Sequence, residues 1–240
     1  MRLLQRREGH LHLTEDLRDN EIPPYAVLSH TWGDPKDEVN FKDMVEGTGR
    51  HKAGYEKIVF CGKQAARDDL QHFWVDICCI NKSSSAELQE AIISMFRWYE
   101  RATKCYVYLA DVSTPYQYNQ WAWEQAFRGS RWFTRGWTLQ ELLAPQAVEF
   151  FSREGRSLGD KENLENLVQE ITRIDVRALR GIPISHFKTN ERFLWAKIRH
   201  TTRGEDEAYS LLGIFGITMP IMYGEGRERA MNRLRHEIHK

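Results

Sequence analysis

Three short stretches of this sequence gather residue types that chemistry needs and packing does not. Residues 130–145, SRWFTRGWTLQELLAP, set three aromatics (Trp132, Phe133, Trp137) and two cations (Arg131, Arg135) before a run of helix formers that Pro145 ends. On a helix Trp137 and Glu141 are four residues apart and share a face. That puts a carboxylate beside an indole, an environment that excludes water and raises a carboxyl pKa. The structural alternative is a core Trp137, a solvated Glu141 and an Arg135 that caps a backbone group. The second stretch, YAVLSHTWGD at 25–34, is a short apolar strand running into Ser29, His30, Trp32 and Gly33. These supply a hydroxyl, a titratable imidazole, a stacking face and a small residue where ligands sit in α/β folds, at the carboxyl end of a parallel strand. The imidazole can equally be a structural cap of the strand end. The third, HFWVDICCI at 72–80, is apolar except for Asp76. A lone acid there is costly unless it is paired or ends the strand.

The elements that must position these groups follow from periodicity. Residues 1–24 form an arm in which Leu3, Leu4, Leu11 and Leu13 can add a hairpin to a sheet edge, ended by Ile22-Pro23-Pro24. After the strand at 25–28, a long loop to Gly54 holds one candidate strand, Val39-Asn40-Phe41. Its Gly47-Thr48-Gly49 turn lacks the Gly-Lys-Ser/Thr of a phosphate loop. Residues 55–70 carry a helical stripe, 72–80 read as a central strand buried on both faces, and Ser83 to Ser85 offer the cap of a helix reaching residue 103. A third strand (105–109) ends near Asp111, and a fourth covers 148–151. Strand and helix alternate, which predicts a parallel sheet with crossovers. Beyond Gly155 the pattern turns helical: 160–172, 177–180, 190–200, 205–215 and 226–239. Rich apolar positions there (Leu194-Trp195-Ile198 and Tyr209 to Phe215) predict helices packed on the sheet domain.

Composition narrows the function classes. The chain has 240 residues, 41% hydrophobic and 28% charged, with a formal net charge of zero. That suffices for a sizeable core and favours neither nucleic acid nor an anionic membrane as partner. No apolar run reaches the roughly 18 residues of a membrane span. The four cysteines (Cys61, Cys78, Cys79, Cys105) sit in apolar segments without CxxC spacing, which predicts reduced thiols and a cytoplasmic protein. No HExxH, CxxC pair or carboxylate cluster indicates a metal. Eight tryptophans suit a large core, a stacking site, or both.

Four ordered motifs, LSHTWGD at 28–34, WVDICCIN at 74–81, RWYERATKCYVYLAD at 97–111 and TRGWTLQELLAP at 134–145, together resemble the heterokaryon-incompatibility (HET) domain of filamentous fungi. The resemblance covers residues 25–151, and EDEAYSLLGIFGITMPIMYGEG at 205–226 resembles what commonly follows that domain. HET domains are in turn similar to TIR domains. Trp137 to Leu142 matches the tryptophan-to-glutamate part of the TIR motif that carries the functional glutamate, with Thr138 in place of the frequent cysteine and Arg135-Gly136 before the tryptophan. The resemblance implies a flavodoxin/TIR-like α/β domain over 25–155, a parallel sheet flanked by helices, after the arm (1–24) and before a helical extension (156–240). It also implies cell-death signalling in fungal vegetative incompatibility, with NAD or a related nucleotide as substrate and no permanently bound cofactor. Glu141 would be catalytic, and Ser29, His30, Trp32, Gly33, Asp76, Arg135 and Trp137 would bind the nucleotide. Self-association on activation and additional domains in a longer native chain belong to the same picture. The alternative is a non-catalytic death-signalling module that works by homotypic self-association. The doubly wound sheet further predicts Ser29 and Asp76 at the carboxyl edge of adjacent strands, with Glu141 on the rim of the same crevice. A rim position would let Glu141→Gln leave stability nearly unchanged.

Overall fold

In the computed structural model, residues 1–7, 9–114 and 120–240 are described, apart from the side chains of residues 120–122. In chain order the strands are β1 (Leu4–Arg7), β2 (His10–Leu13), β3 (Tyr25–His30), β4 (His72–Trp74), β5 (Lys104–Leu109), β6 (Val148–Ser152) and β7 (Ser157–Asp160). The helices are α1 (Phe41–Glu46), α2 (Tyr55–Arg67), α3 (Asp76–Cys79), α4 (Ser85–Glu100), α5 (Gln120–Arg128), α6 (Thr138–Leu143), α7 (Glu165–Thr172) and α8 (Val176–Leu179). They continue with α9 (Thr189–Ala196), α10 (Asp206–Tyr209), α11 (Leu212–Phe215) and α12 (Arg227–Ile238).

All the strands join one sheet in the order β2-β1-β4-β3-β5-β6-β7. The inner four, β4-β3-β5-β6, are parallel. Every residue of β3 is buried, as a central parallel strand with helices on both faces requires. The chain leaves β3 for β4 on one side and then crosses to β5 on the other. The carboxyl ends of β3 and β5 therefore flank the point where connections diverge, where an open α/β sheet offers a crevice. The amino-terminal arm is the expected hairpin, β1 with β2, and β1 covers the edge of β4 in antiparallel register.

Three local expectations are corrected. Residues 39–41 are not a strand: Asn40 and Asp43 exchange backbone and side-chain hydrogen bonds in a capping box that starts α1. The apolar run 72–80 is strand only to Trp74. Asp76 opens a helical turn whose Ile77, Cys78 and Cys79 stay buried, and an apolar run alone does not separate a buried strand from a buried turn of helix. The sheet also continues past residue 155. Ser157–Asp160 pairs antiparallel with β6, so a boundary at 155/156 falls inside a hairpin, and the helix expected from residue 160 begins at Glu165.

The carboxyl-terminal helices lie on the sheet layer. At Gly213 of α11 a Cβ would stand 2.1 Å from the Cβ of Phe96 in α4, so the two helices meet backbone to side chain. Trp195 is buried against Phe187, whereas Leu194 and Ile198 of the same stripe are exposed. Among the described residues no helix is long and apolar enough to cross a membrane.

Candidate functional site

Glu141 is held by α6, a helix whose six residues are all buried. It is not a rim group: 7% of its surface is exposed. Ser29, near the carboxyl end of β3, donates its hydroxyl proton to Glu141 Oε2 at 2.5 Å and accepts from Trp132 Nε1 at 2.8 Å. Tyr99 of α4 donates its hydroxyl proton to the Leu28 carbonyl at 3.1 Å, close enough for the hydroxyl to act on Glu141. The Cys105 thiol lies 3.8 Å from the Glu141 carbonyl oxygen. Burial, reinforced by the negative charge of Asp76, pushes the Glu141 carboxyl up to about 8, against the pull of Ser29, Arg199 and Tyr99. The indole hydrogen-bonded into this group is therefore that of Trp132. Trp137 donates instead to Asp206 Oδ2 at 3.3 Å.

Asp76 ends the excursion of β4 as the first residue of α3, and its position resolves the cost of an acid in an apolar run. Its Oδ2 accepts from Trp32 Nε1 at 3.0 Å, and its Oδ1 lies 3.9 Å from His30 Nδ1. Burial raises its pKa, opposed by Lys82, Lys57 and the Trp32 bond. His30 is buried, and burial together with the charges of Lys57 and Lys82 keeps it neutral. Among the described residues His30 Nε2 and Asp76 Oδ1 have no hydrogen-bond partner. Trp32 is 44% exposed, with Lys82 Nζ 3.6 Å above its ring, a cation–π contact. The Gly33 amide donates to Glu38 Oε1 at 2.6 Å, and Lys57 Nζ donates to the same oxygen at 2.5 Å.

Of the residues singled out in the sequence, Ser29 bonds Glu141, His30 and Trp32 meet Asp76, and Gly33 bonds Glu38; these contacts make one group at the carboxyl edge of β3 and β4 only through charge, that of Asp76 acting on Glu141. Arg135 is not part of it: its guanidinium donates to Thr202 Oγ1 at 3.2 and 3.3 Å. The buried cation acting on Glu141 is Arg199, which donates to Thr138 Oγ1 at 2.7 Å and to the Arg135 carbonyl at 3.0 Å. Burial brings its pKa down to about 9, with Glu141 opposing.

Sequence reasoning missed Glu38, Lys57, Lys82, Tyr99 and Arg199. Helical spacing marks Tyr99 as inward-facing without showing what its hydroxyl meets, and the others join the group through distant segments.

Within the group Ser29 and Glu141 are closed off from solvent, while Trp32 and part of Asp76 reach the surface. Two clefts, of about 860 and 440 Å³, lie elsewhere, along α12 and between α2 and the ends of β5 and β6. Among the described residues no group of three or more His, Cys, Asp or Glu side chains is arranged to hold a metal. Chemically the arrangement offers two carboxyls, Glu141 and Asp76, whose proton affinity burial raises, and a stacking ring at the surface.

Residues 25–118, from β3 to just past β5, match the family model described as heterokaryon incompatibility protein (HET). Over 243 positions, and 100% of this chain, the sequence is 55% identical to the vegetative incompatibility protein HET-E-1 of Podospora anserina. The chain spans 18% of that relative's length. No solved structure matches it. With Ser29, His30, Trp32, Gly33 and Asp76 inside the matched segment, and Glu141 and Arg199 inside the stretch aligned with the relative, the chain carries a heterokaryon-incompatibility (HET) domain.

Proposed function

We propose that this HET domain is a cell-death effector of vegetative incompatibility that hydrolyses NAD, or a closely related nucleotide, with Glu141 as its catalytic carboxylate. The reading rests on one observation above the others: Glu141 is hydrogen-bonded to Ser29 at the point of the sheet where α/β folds bind ligands. In the reaction the bond between the ribose C1′ and the nicotinamide nitrogen breaks, and its electron pair stays on the ring nitrogen. Nicotinamide leaves neutral, water adds at C1′ and a proton is released, so no general acid is needed. The positive charge that builds on the ribose is stabilised by a carboxylate fixed beside it. Trp32 offers a face to an aromatic base, and Lys82 above its ring supplies positive charge for the pyrophosphate.

Glu141 must be ionised and reachable to act, and in the closed fold it is neither at neutral pH. Activation therefore includes an opening of the group, which self-association of a TIR-like sheet can drive. Nicotinamide release from NAD by the protein held at high concentration tests this reading, and a wild-type protein that assembles without turnover would refute it.

The same closure favours a second reading, in which the Ser29–Glu141–Trp132 group is structural and the domain signals by homotypic assembly alone. Assembly and killing that persist in Glu141→Gln would support it.

A further inference from the structure

The segment after α9 crosses the entrance of α6. His200 N donates to the Thr134 carbonyl at 2.7 Å and Gly136 N to the His200 carbonyl at 2.9 Å, a parallel bridge that pairs Arg135 with His200. Gly136 is the point of contact, since a Cβ there would fall 2.4 Å from Thr201 Cγ2. Arg135 and Trp137 reach Thr202 and Asp206 on either side. The Arg-Gly-Trp sequence, which core packing does not require, is thus the dock for a strap formed by residues 199–206.

This strap delivers Arg199, a side chain with 6% of its surface exposed. Its Nη1 holds the first turn of α6 through Thr138 and the Arg135 carbonyl. Among the described residues its Nε and Nη2 have no hydrogen-bond partner. Those two nitrogens form the parallel edge of a guanidinium that matches the two oxygens of a carboxylate. Thr138 lies three residues before Glu141, on the same side of α6. The groups acting on Glu141 are Ser29 of β3, Asp76 of α3, Tyr99 of α4, Cys105 of β5 and Arg199 of the strap. Asp76 opposes ionisation, burial keeps the Tyr99 hydroxyl and the Cys105 thiol protonated, and Arg199 is the cation in the set.

We propose that Arg199 is a positioning residue for Glu141: once the carboxyl releases its proton to solvent, the carboxylate takes the open Nε–Nη2 edge as its counter-ion, held in register by the strap. The assignment rests on Glu141 as the catalytic group and names the residue that makes its charged form usable. It also ties the segment after residue 156 to the site.

The test is a titration of the Glu141 carboxyl carbon in full-length, carbon-13 glutamate-labelled protein, with the resonance assigned by its loss in Glu141→Gln. Arg199→Gln moves the Glu141 midpoint upward, and Arg199→Lys moves it less, because the charge is retained. Both variants lose the Nη1 that grips Thr138 and the Arg135 carbonyl, so a purely structural role would move the two alike. A folded Arg199→Gln protein with an unchanged midpoint, or a Lys variant that titrates like the Gln variant, overturns the proposal. Should Arg199→Gln not fold, Gly136→Ala pushes the strap away with Arg199 intact; the midpoint then rises, and an unchanged one is equally fatal. Nicotinamide release is measured on the same samples. A moved midpoint without turnover in any protein upholds the counter-ion and sinks the NAD reading, whereas turnover with an unmoved midpoint does the reverse.

Discussion

Replacing Glu141 by Gln should make the protein more stable at alkaline pH and leave it nearly unchanged in acid. The folded structure moves the carboxyl from its ordinary 4.5 up to about 8. Between those values the folded chain keeps a proton that the unfolded chain has already released, so unfolding releases a proton and stability falls as pH rises through the window. Below 4.5 both states are protonated and the contribution is complete; above about 8 it is lost. At about 1.4 kcal/mol per pH unit the full effect has an upper bound on the order of 5 kcal/mol. The amide of Gln is neutral throughout and still accepts from Ser29, so the variant lacks this decline. Asp76, Lys161 and Arg199 titrate in both proteins, so the difference between the two stability curves reports position 141. For a chain of this size each kcal/mol moves the melting temperature by about 2–4 °C. Thermal unfolding followed from pH 5 to 8.5 should therefore show the Gln variant gaining on wild type by on the order of 10 °C. Parallel curves would mean that Glu141 ionises as an ordinary surface acid, and the account of a buried, proton-holding carboxyl would fall.

Gly213→Ala should be among the most damaging single changes. Its Cβ would overlap Phe96 at 2.1 Å, and overpacking of this kind costs about 3 kcal/mol, read as a lower denaturation midpoint in urea. Trp132→Phe keeps the ring packing but removes the donor to Ser29, a loss of about 1 kcal/mol in the same assay. Trp32→Ala removes a side chain that is 44% exposed, so its stability should change by no more than about 1 kcal/mol. If the ring stacks on the substrate, KM for NAD rises while the unfolding curve stays close to wild type.

The parallel centre of the sheet was legible because β3, β5 and β6 carry apolar runs of strand length between helical stripes, and burial on both faces leaves few other ways to place them. The step from β4 into α3 was not, because Phe73 through Ile80, all but the half-buried Asp76, are buried whether the backbone is extended or coiled. At α1, propensity favoured a strand, but the Asn40–Asp43 capping box satisfies the first-turn amides and prevails. Ser29, Asp76 and Glu141 could be picked out because polar groups at strand ends stand out against apolar neighbours. Glu38, Lys57 and Arg199 could not, since their roles depend on contacts across the loop after β3 or between α6 and a segment far along the chain. The Arg-Gly-Trp entrance was visible as a sequence with no packing use. What it docks became apparent only from the Gly136–Thr201 approach and the Trp137–Asp206 bond.

The central claim is that a buried Glu141 becomes the catalytic carboxylate when it ionises. The most direct test is the pH dependence of nicotinamide release from NAD by the assembled protein, with Glu141→Gln measured alongside. The account predicts a wild-type rate that climbs as pH rises toward about 8, where the closed group gives up its proton and can open, and then levels. It also predicts a Gln variant lower by on the order of a hundredfold or more across the range, as expected from removing one preorganised electrostatic group. A rate that is flat or falls over that interval, or a Gln variant that releases nicotinamide as fast as wild type, would contradict it.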